Sequence, residues 1–298
     1  MRIGYVGLGA MGRPMAINLV GAGHDLVVAD VDEGRSEILR QRGAAVAGSA
    51  KEAADKADVV LACLPNLDAA DAVAAEVAQG GRATGFVNMG TTGSAYARAT
   101  AELMAANGKA YLDAPISGGP PGAEAATLGI MCSGDKATFD ALKPALEAIS
   151  GRTVYIGEQP GAAQTMKLVN NIISFGNLSV ALEAMTLGAK AGLDPEQMLE
   201  VINASSGRNS ATETKIPNHV LTRTFDYGGA NYIIEKDLEL WRREAEMFVA
   251  PMWLGTTIRT LFRQSFAENG RDADMTALAQ TLEKWAGLEI PQTRKASR

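Results

Sequence analysis

Gly7-Leu8-Gly9-Ala10-Met11-Gly12 sets three glycines at the spacing that a phosphate-binding turn requires. Gly7 allows a tight turn, Gly9 lets the main chain close on a pyrophosphate, and Gly12 lets a helix pack against the preceding strand. The N–H groups at Ala10, Met11 and Gly12 would open a helix and face the phosphates. An ordinary glycine-rich turn carries the same letters, so a second feature has to support the reading. Asp30 supplies it. It ends the second predicted strand, where a carboxylate accepts hydrogen bonds from the adenosine ribose and repels a 2′-phosphate. Asp32 follows and no arginine stands directly after Asp30, so the pattern predicts NAD(H) over NADP(H). Arg35 is the nearby cation able to soften that preference.

Lys167 and Asn171 lie four residues apart in a helical stretch and so share one face. Oxidising an alcohol requires a base for the hydroxyl proton while hydride leaves, and a lysine serves where burial or nearby positive charge lowers its pKa. In the reverse direction the same ammonium donates to the carbonyl oxygen. Asn171 would fix the geometry by hydrogen bonding to Lys167 or to the substrate. Spacing alone leaves open a solvated helix lysine beside a polar neighbour. Ser117-Gly118-Gly119 follows a predicted strand, at the carboxyl edge where open α/β sheets bind ligands. Its uncovered N–H groups and hydroxyl can hold a carboxylate, although a plain strand-to-loop turn has the same composition.

These residues need elements to position them. Apolar runs predict strands at Arg2–Val6, Leu26–Ala29, Val59–Leu64, Gly85–Met89, Ala110–Ala114, Gly129–Cys132 and Thr153–Ile156. Helical patterns fill the intervals at Met11–Ala22, Glu33–Arg42, Leu67–Gln79, Ser94–Asn107 and Lys136–Ala148. Strand and helix in alternation predict an α/β Rossmann-type domain with a parallel sheet covered on both faces. After Ile156 only helical patterns follow. They cover Ala163–Ala191, a stretch begun by Asp194 as N-cap with Pro195 and a capping box closed by Gln197, then Tyr232–Val249, Pro251–Asn269 and Thr276–Ala286. The predicted division is a nucleotide-binding domain over residues 1–162, an all-α domain over 163–290 and a polar tail over 291–298.

Apolar residues at 47% and charged residues at 21% fit a globular chain rather than a disordered one. A net charge of −6 without Lys/Arg runs is a poor match to nucleic acid or anionic lipid, yet a few cations suffice for a small anionic substrate. The cysteines, Cys63 and Cys132, are too few for a disulfide framework or metal cluster and read as buried strand residues. The chain enters a strand at once, leaving no room for a targeting segment. Met166–Ala191 carries Lys167, Asn170, Asn171, Asn177 and Glu183, which makes it too polar for a lipid span. A cytoplasmic enzyme is expected.

The glycine motif continues as Gly12-Arg13-Pro14-Met15-Ala16-Ile17-Asn18-Leu19. The full run resembles the N-terminal signature of the β-hydroxyacid dehydrogenases, which include 3-hydroxyisobutyrate dehydrogenase and tartronate semialdehyde reductase. Asp113-Ala114-Pro115-Ile116-Ser117-Gly118-Gly119 resembles that family's substrate-binding segment, Gly161 to Asn171 its catalytic helix, and Lys236-Asp237-Leu238 its Lys-Asp-Leu. The resemblance spans about residues 2 to 288. It implies Lys167 and Asn171 as catalytic residues, and Ser117, Gly118, Gly119, Lys236 and Asp237 around the substrate. It also implies Leu64, Pro65, Thr91 and Lys236 along the cofactor. Lys236 would reach towards the nicotinamide or the substrate with Asp237 orienting it.

The expected activity is hydride transfer between NAD(H) and a small β-hydroxy acid or its semialdehyde, without a metal, by a homodimer or homotetramer. Imine reductases on the same scaffold usually replace the lysine, as do non-catalytic relatives that only sense the nucleotide. Two departures from the family pattern stand out: Asn88-Met89-Gly90-Thr91 replaces Asp-Met-Ser-Thr, and Ala126 stands at a usual glycine.

Overall fold

Strand β1 (Arg2–Val6) pairs in parallel with β2 (Asp25–Ala29) on one side and β4 (Val59–Ala62) on the other. Successive residues of these strands enter opposite faces. Ile3, Leu26, Val28 and Leu61 join one apolar core, whereas Val6, Val27, Ala29 and Val60 join a second. Burial on both faces explains the unbroken apolar runs. The computed structural model describes residues 1–291, so most of the expected tail over 291–298 lies outside the described residues.

The chain runs outward from β1 through α1 (Gly12–Gly21), β2, α2 (Glu33–Arg40) and the two-residue β3 (Ala45–Val46). Helix α3 (Ala50–Lys56) returns it to β4, on the far side of β1. It continues through α4 (Leu67–Gln79), β5 (Gly85–Asn88), α5 (Ser94–Ala106) and β6 (Ala110–Asp113). Next come β7 (Ile116–Ser117), α6 (Gly119–Glu124), β8 (Leu128–Gly134), α7 (Lys136–Glu147) and β9 (Ser150–Gly157). The strand order is β3-β2-β1-β4-β5-β6-β8-β7, with β9 paired to β8. The order reverses between β1 and β4, the switch point at which such sheets open a ligand crevice beyond their carboxyl ends.

The sheet is not wholly parallel as expected. β8 runs antiparallel to β6 and β7. A parallel return needs a crossover helix spanning the sheet, and the six-residue α6 does not provide one. Short elements escaped the sequence reading for the same kind of reason: β3, β7, α3 and α6 are too brief to show a period. Cys132 is buried in β8 as expected, but Cys63 falls just beyond β4 and is only partly buried.

Two compact units make up the chain, Met1–Lys167 and the residues from Leu168 onward. The division falls inside α8 (Ala162–Lys190), beyond the expected boundary at residue 162. Hydrogen bonds of Gly161, Ala163 and Gln164 to the first unit tie the opening turn of this helix to the sheet. The second unit contains α9 (Pro195–Asn203), a π-helix (Ala211–Val220), α10 (Asn231–Met247), α11 (Trp253–Asn269), a 3₁₀ turn (Met275–Ala277) and α12 (Leu278–Ala286). Asp194 caps α9 through the N–H groups of Glu196 and Gln197, while no return bond from the Gln197 side chain closes the expected capping box.

By length and composition α8 is apolar enough to cross a membrane, contrary to the expectation drawn from its polar residues. Phe175, Leu178, Leu182 and Met185 instead pack its apolar face into the second unit's core with Ile216, Leu238, Phe262 and Leu282. Arg223 grips Glu283 with two hydrogen bonds of 2.6 and 3.0 Å and fixes α12 to the loop after the π-helix.

Candidate active site

The glycine turn follows β1 directly, and its geometry accounts for each glycine. Gly7 has φ +91°, and a Cβ there would lie 2.3 Å from the Cys63 carbonyl oxygen. A Cβ on Gly12 would lie 1.9 Å from the Gly7 carbonyl oxygen. Both are therefore required by packing. Gly9 differs, because a Cβ there would meet nothing within 4 Å. Packing does not demand this glycine, and the open space beside it suits a diphosphate drawn close to the main chain. Helices α2, α3, α4 and α7 are capped by Asp32, Ser49, Asn66 and Asp135, whereas no side chain caps α1. Helices α5 and α6 likewise lack a side-chain cap, but only at α1 does the turn carry the glycine spacing that suits an anion.

Asp30 holds the same turn from β2. Its carboxylate accepts from Leu8 N at 2.5 Å and from Asp32 N at 2.8 Å. Arg35 lies 3.7 Å from Asp30 and 3.2 Å from Asp32, so both carboxylates engage it. Leu64 and Pro65 follow β4, and Leu64 packs near Gly7. Asn66 N-caps α4. These residues, together with Thr91 after β5, cluster at the carboxyl ends of β1, β2, β4 and β5 and fit a dinucleotide.

Beyond β5 the loop is held by Asn88. Its oxygen accepts from Gly90 N at 3.0 Å and its nitrogen donates to Thr92 Oγ1 at 2.8 Å. An amide does both, and an aspartate in its place would only accept. The loop is then locked by Gln164, whose oxygen accepts from Thr92 N at 2.9 Å and whose nitrogen donates to the Gly90 carbonyl at 3.0 Å.

Gln164 also donates at 3.1 Å to Oδ1 of Asp113, a carboxylate buried at the end of β6. Asp113 accepts further bonds from Tyr111 Oη at 2.8 Å, Gly161 N at 2.6 Å and Ser133 Oγ at 3.4 Å. Burial pushes its pKa up to about 6, against the lowering effect of these four donors. Ser133 Oγ in turn accepts from Ala163 N at 2.8 Å. Asp113, Ser133 and Gln164 thus anchor the turn that leads into Lys167. The usable signal was a carboxylate ending an otherwise apolar strand.

Lys167 is buried at 7% exposure and Asn171 at 8%. One helical turn separates them on α8. The Asn171 amide donates to Asp237 Oδ2 at 2.7 Å, while its own oxygen accepts from Asn170 at 3.3 Å. The Lys236 ammonium lies 3.0 Å from Asp237 Oδ1. Asn171, Asp237 and Lys236 are therefore brought together within the second unit, with buried Asp237 accepting from Asn171 and ion-paired with Lys236. Lys236 also lines a cavity of about 400 Å³ with Tyr232, Arg259, Arg263 and Arg271.

Ser117 ends β7, and Gly118 and Gly119 follow with φ of +129° and +65°. A side chain at Gly118 would press on Leu128 at 3.2 Å. The positive angles explain both glycines. Ala126, between α6 and β8, also has a positive φ of 55° and carries the strain that a glycine would avoid.

An alternating α/β domain with a glycine turn after its first strand, followed by a helical unit, is the architecture of an NAD(P)-binding oxidoreductase. The comparisons agree. The family described as the NAD binding domain of 6-phosphogluconate dehydrogenase matches residues 2–157. The family described as NAD-binding of NADP-dependent 3-hydroxyisobutyrate dehydrogenase matches residues 161–282. The chain is 32% identical to the 2-(hydroxymethyl)glutarate dehydrogenase of Eubacterium barkeri, over 97% of each chain. It is 31% identical to the 2-hydroxy-3-oxopropionate reductase of Escherichia coli, over 97% of this chain and 100% of that one. The solved structure of Mycobacterium tuberculosis 3-hydroxyisobutyrate dehydrogenase with L-serine superposes with a TM-score of 0.87 at 33% identity, covering 94% of this chain and 98% of that chain. The chain belongs to the 3-hydroxyisobutyrate dehydrogenase / 2-hydroxy-3-oxopropionate reductase family of β-hydroxyacid dehydrogenases.

Proposed function

We propose that this enzyme oxidises a small β-hydroxy acid to its semialdehyde, or reduces the semialdehyde, with Lys167 as general base and acid and NAD(H) as the preferred cofactor. The observation that carries the reading is the burial of Lys167 one turn before Asn171, which Asp237 holds by its amide. The nicotinamide, when bound, supplies the hydride acceptor or donor. Neutral Lys167 takes the hydroxyl proton as the C–H hydride leaves and the C=O bond forms; in reduction its ammonium returns that proton to the oxygen. Asn171, fixed by Asp237, orients the lysine or the substrate hydroxyl. Ser117, Gly118 and Gly119 hold the substrate carboxylate, and Lys236 adds a cation steered by Asp237. Gly7, Gly9, Ala10, Met11 and Gly12 cradle the diphosphate, with Leu64, Pro65 and Thr91 along the cofactor.

NAD preference rests on Asp30, whose charge opposes a 2′-phosphate, and on Arg35 being engaged by two carboxylates. The names of the relatives point to substrates with a hydroxyl β to a carboxylate or to the matching semialdehydes, and 3-hydroxyisobutyrate and 2-(hydroxymethyl)glutarate are the first candidates. Exposed apolar residues along α8 (Ile173, Val180 and Leu187) support a homo-oligomer.

Substituting Lys167→Ala tests the mechanism. Turnover should fall by about 10²- to 10⁴-fold, while titration of protein fluorescence with NADH gives an unchanged Kd. A kcat close to the parent value would remove Lys167 from the chemistry.

A further inference from the structure

The π-helix carries a lysine that this mechanism does not use. Lys215 is only 3% exposed. Its ammonium donates to Ser174 Oγ and Ser210 Oγ, each at 3.3 Å, and lies 5.0 Å from the centre of the Tyr227 ring. Among the described residues no carboxylate pairs with it, and Glu213, on the same π-helix, is engaged by Arg208 at 2.6 Å. Burial lowers its pKa, with no neighbouring acid to restore it. Two hydroxyls and an aromatic face solvate the ammonium without neutralising it. A buried charge left in this condition is costly for a folded protein to keep.

Its place suggests why it is kept. Ser174 follows Lys167 and Asn171 in the i, i+4, i+7 row of α8, so Lys215 stands at the next rung beyond the proposed catalytic pair. The wide turn of a π-helix is rare and recurs at functional sites. The proposed function already provides for one carboxylate at Ser117-Gly118-Gly119.

We infer that Lys215 binds a second anionic group on the substrate, making the preferred substrates β-hydroxy acids that carry a further carboxylate. This rests on the β-hydroxy acid reading above. Neutralising the ammonium then becomes part of substrate binding. The free protein carries an unpaired charge that an apolar residue of similar length would spare.

Steady-state NADH formation with 2-(hydroxymethyl)glutarate and with 3-hydroxyisobutyrate tests the inference in the parent enzyme and in Lys215→Met. The parent should show the higher kcat/KM for the diacid. In Lys215→Met the diacid-to-monoacid ratio of kcat/KM should fall by roughly tenfold or more, as expected for losing a charged hydrogen bond. Thermal unfolding without substrate should give a Tm equal to or above the parent's, whereas a merely structural lysine would lower it. A parent enzyme that turns over the monoacid without favouring the diacid overturns the inference and leaves the proposed function standing. An unchanged ratio in Lys215→Met does the same. Failure of the parent on both acids with NADH still bound strikes the β-hydroxy acid reading itself, and the inference falls with it.

Discussion

At the scale of single residues, the site is built by carboxylates and amides that position others. Asp113 makes the clearest case, because four donors converge on a group that burial would rather keep neutral. Its pKa in the folded protein is about 6 against an ordinary 3.8, so between these values the native state binds more protons than the unfolded chain. Stability contributed by this group is present below about pH 4 and is lost as pH rises through about 6. The shift of about 2 units corresponds to about 3 kcal/mol. Glu37 and Glu239, whose pKa values are lowered to about 2 by arginine partners, act with the opposite sign and in a more acidic window. Urea unfolding of the parent and of Asp113→Asn across pH 4 to 7 should therefore show a stability difference that shrinks as pH rises. A difference independent of pH would mean that Asp113 does not titrate there.

At the scale of elements, strand and turn chemistry place the chemical groups, and the loops after β5 and α6 do so in different ways. Asn88 ties both Gly90 and Thr92, which keeps Thr91 at the carboxyl end of β5. Ala126 has no such compensation for its φ of 55°. Ala126→Gly should relieve left-handed strain and stabilise the protein by about 1 kcal/mol, seen as a higher urea midpoint with an unchanged slope. A lower midpoint would show that the alanine methyl is needed more than the strain costs. The elements most legible in the sequence were the long ones with a clear period, such as α4, α5 and α7. The glycine turn and Asp30 could be read from local rules alone. The antiparallel β8, the π-helix around Lys215 and the Asp113–Gln164 lock depend on residues far apart in sequence, and no local pattern announces them. Lys215 in particular looks like an ordinary helix lysine until its burial is known.

At the scale of the molecule, the residues of the proposed site are distributed over two compact units. The first holds the glycine turn, Asp30, the Ser117-Gly118-Gly119 segment and, at its end, Lys167; the second holds Asn171, Asp237, Lys236 and Lys215. Lys167 and Asn171 lie on the one helix α8, so the proposed proton-transfer residue and its neighbour share its continuous hydrogen bonding. The central claim is NAD-dependent oxidation of a β-hydroxy acid. Initial rates of reduced-cofactor formation, measured with 3-hydroxyisobutyrate and 2-(hydroxymethyl)glutarate and with NAD⁺ and NADP⁺ in parallel, test it most directly. Turnover of at least one acid is expected, with kcat/KM higher for NAD⁺ than for NADP⁺. Binding of NADH with no oxidation of either acid would contradict it.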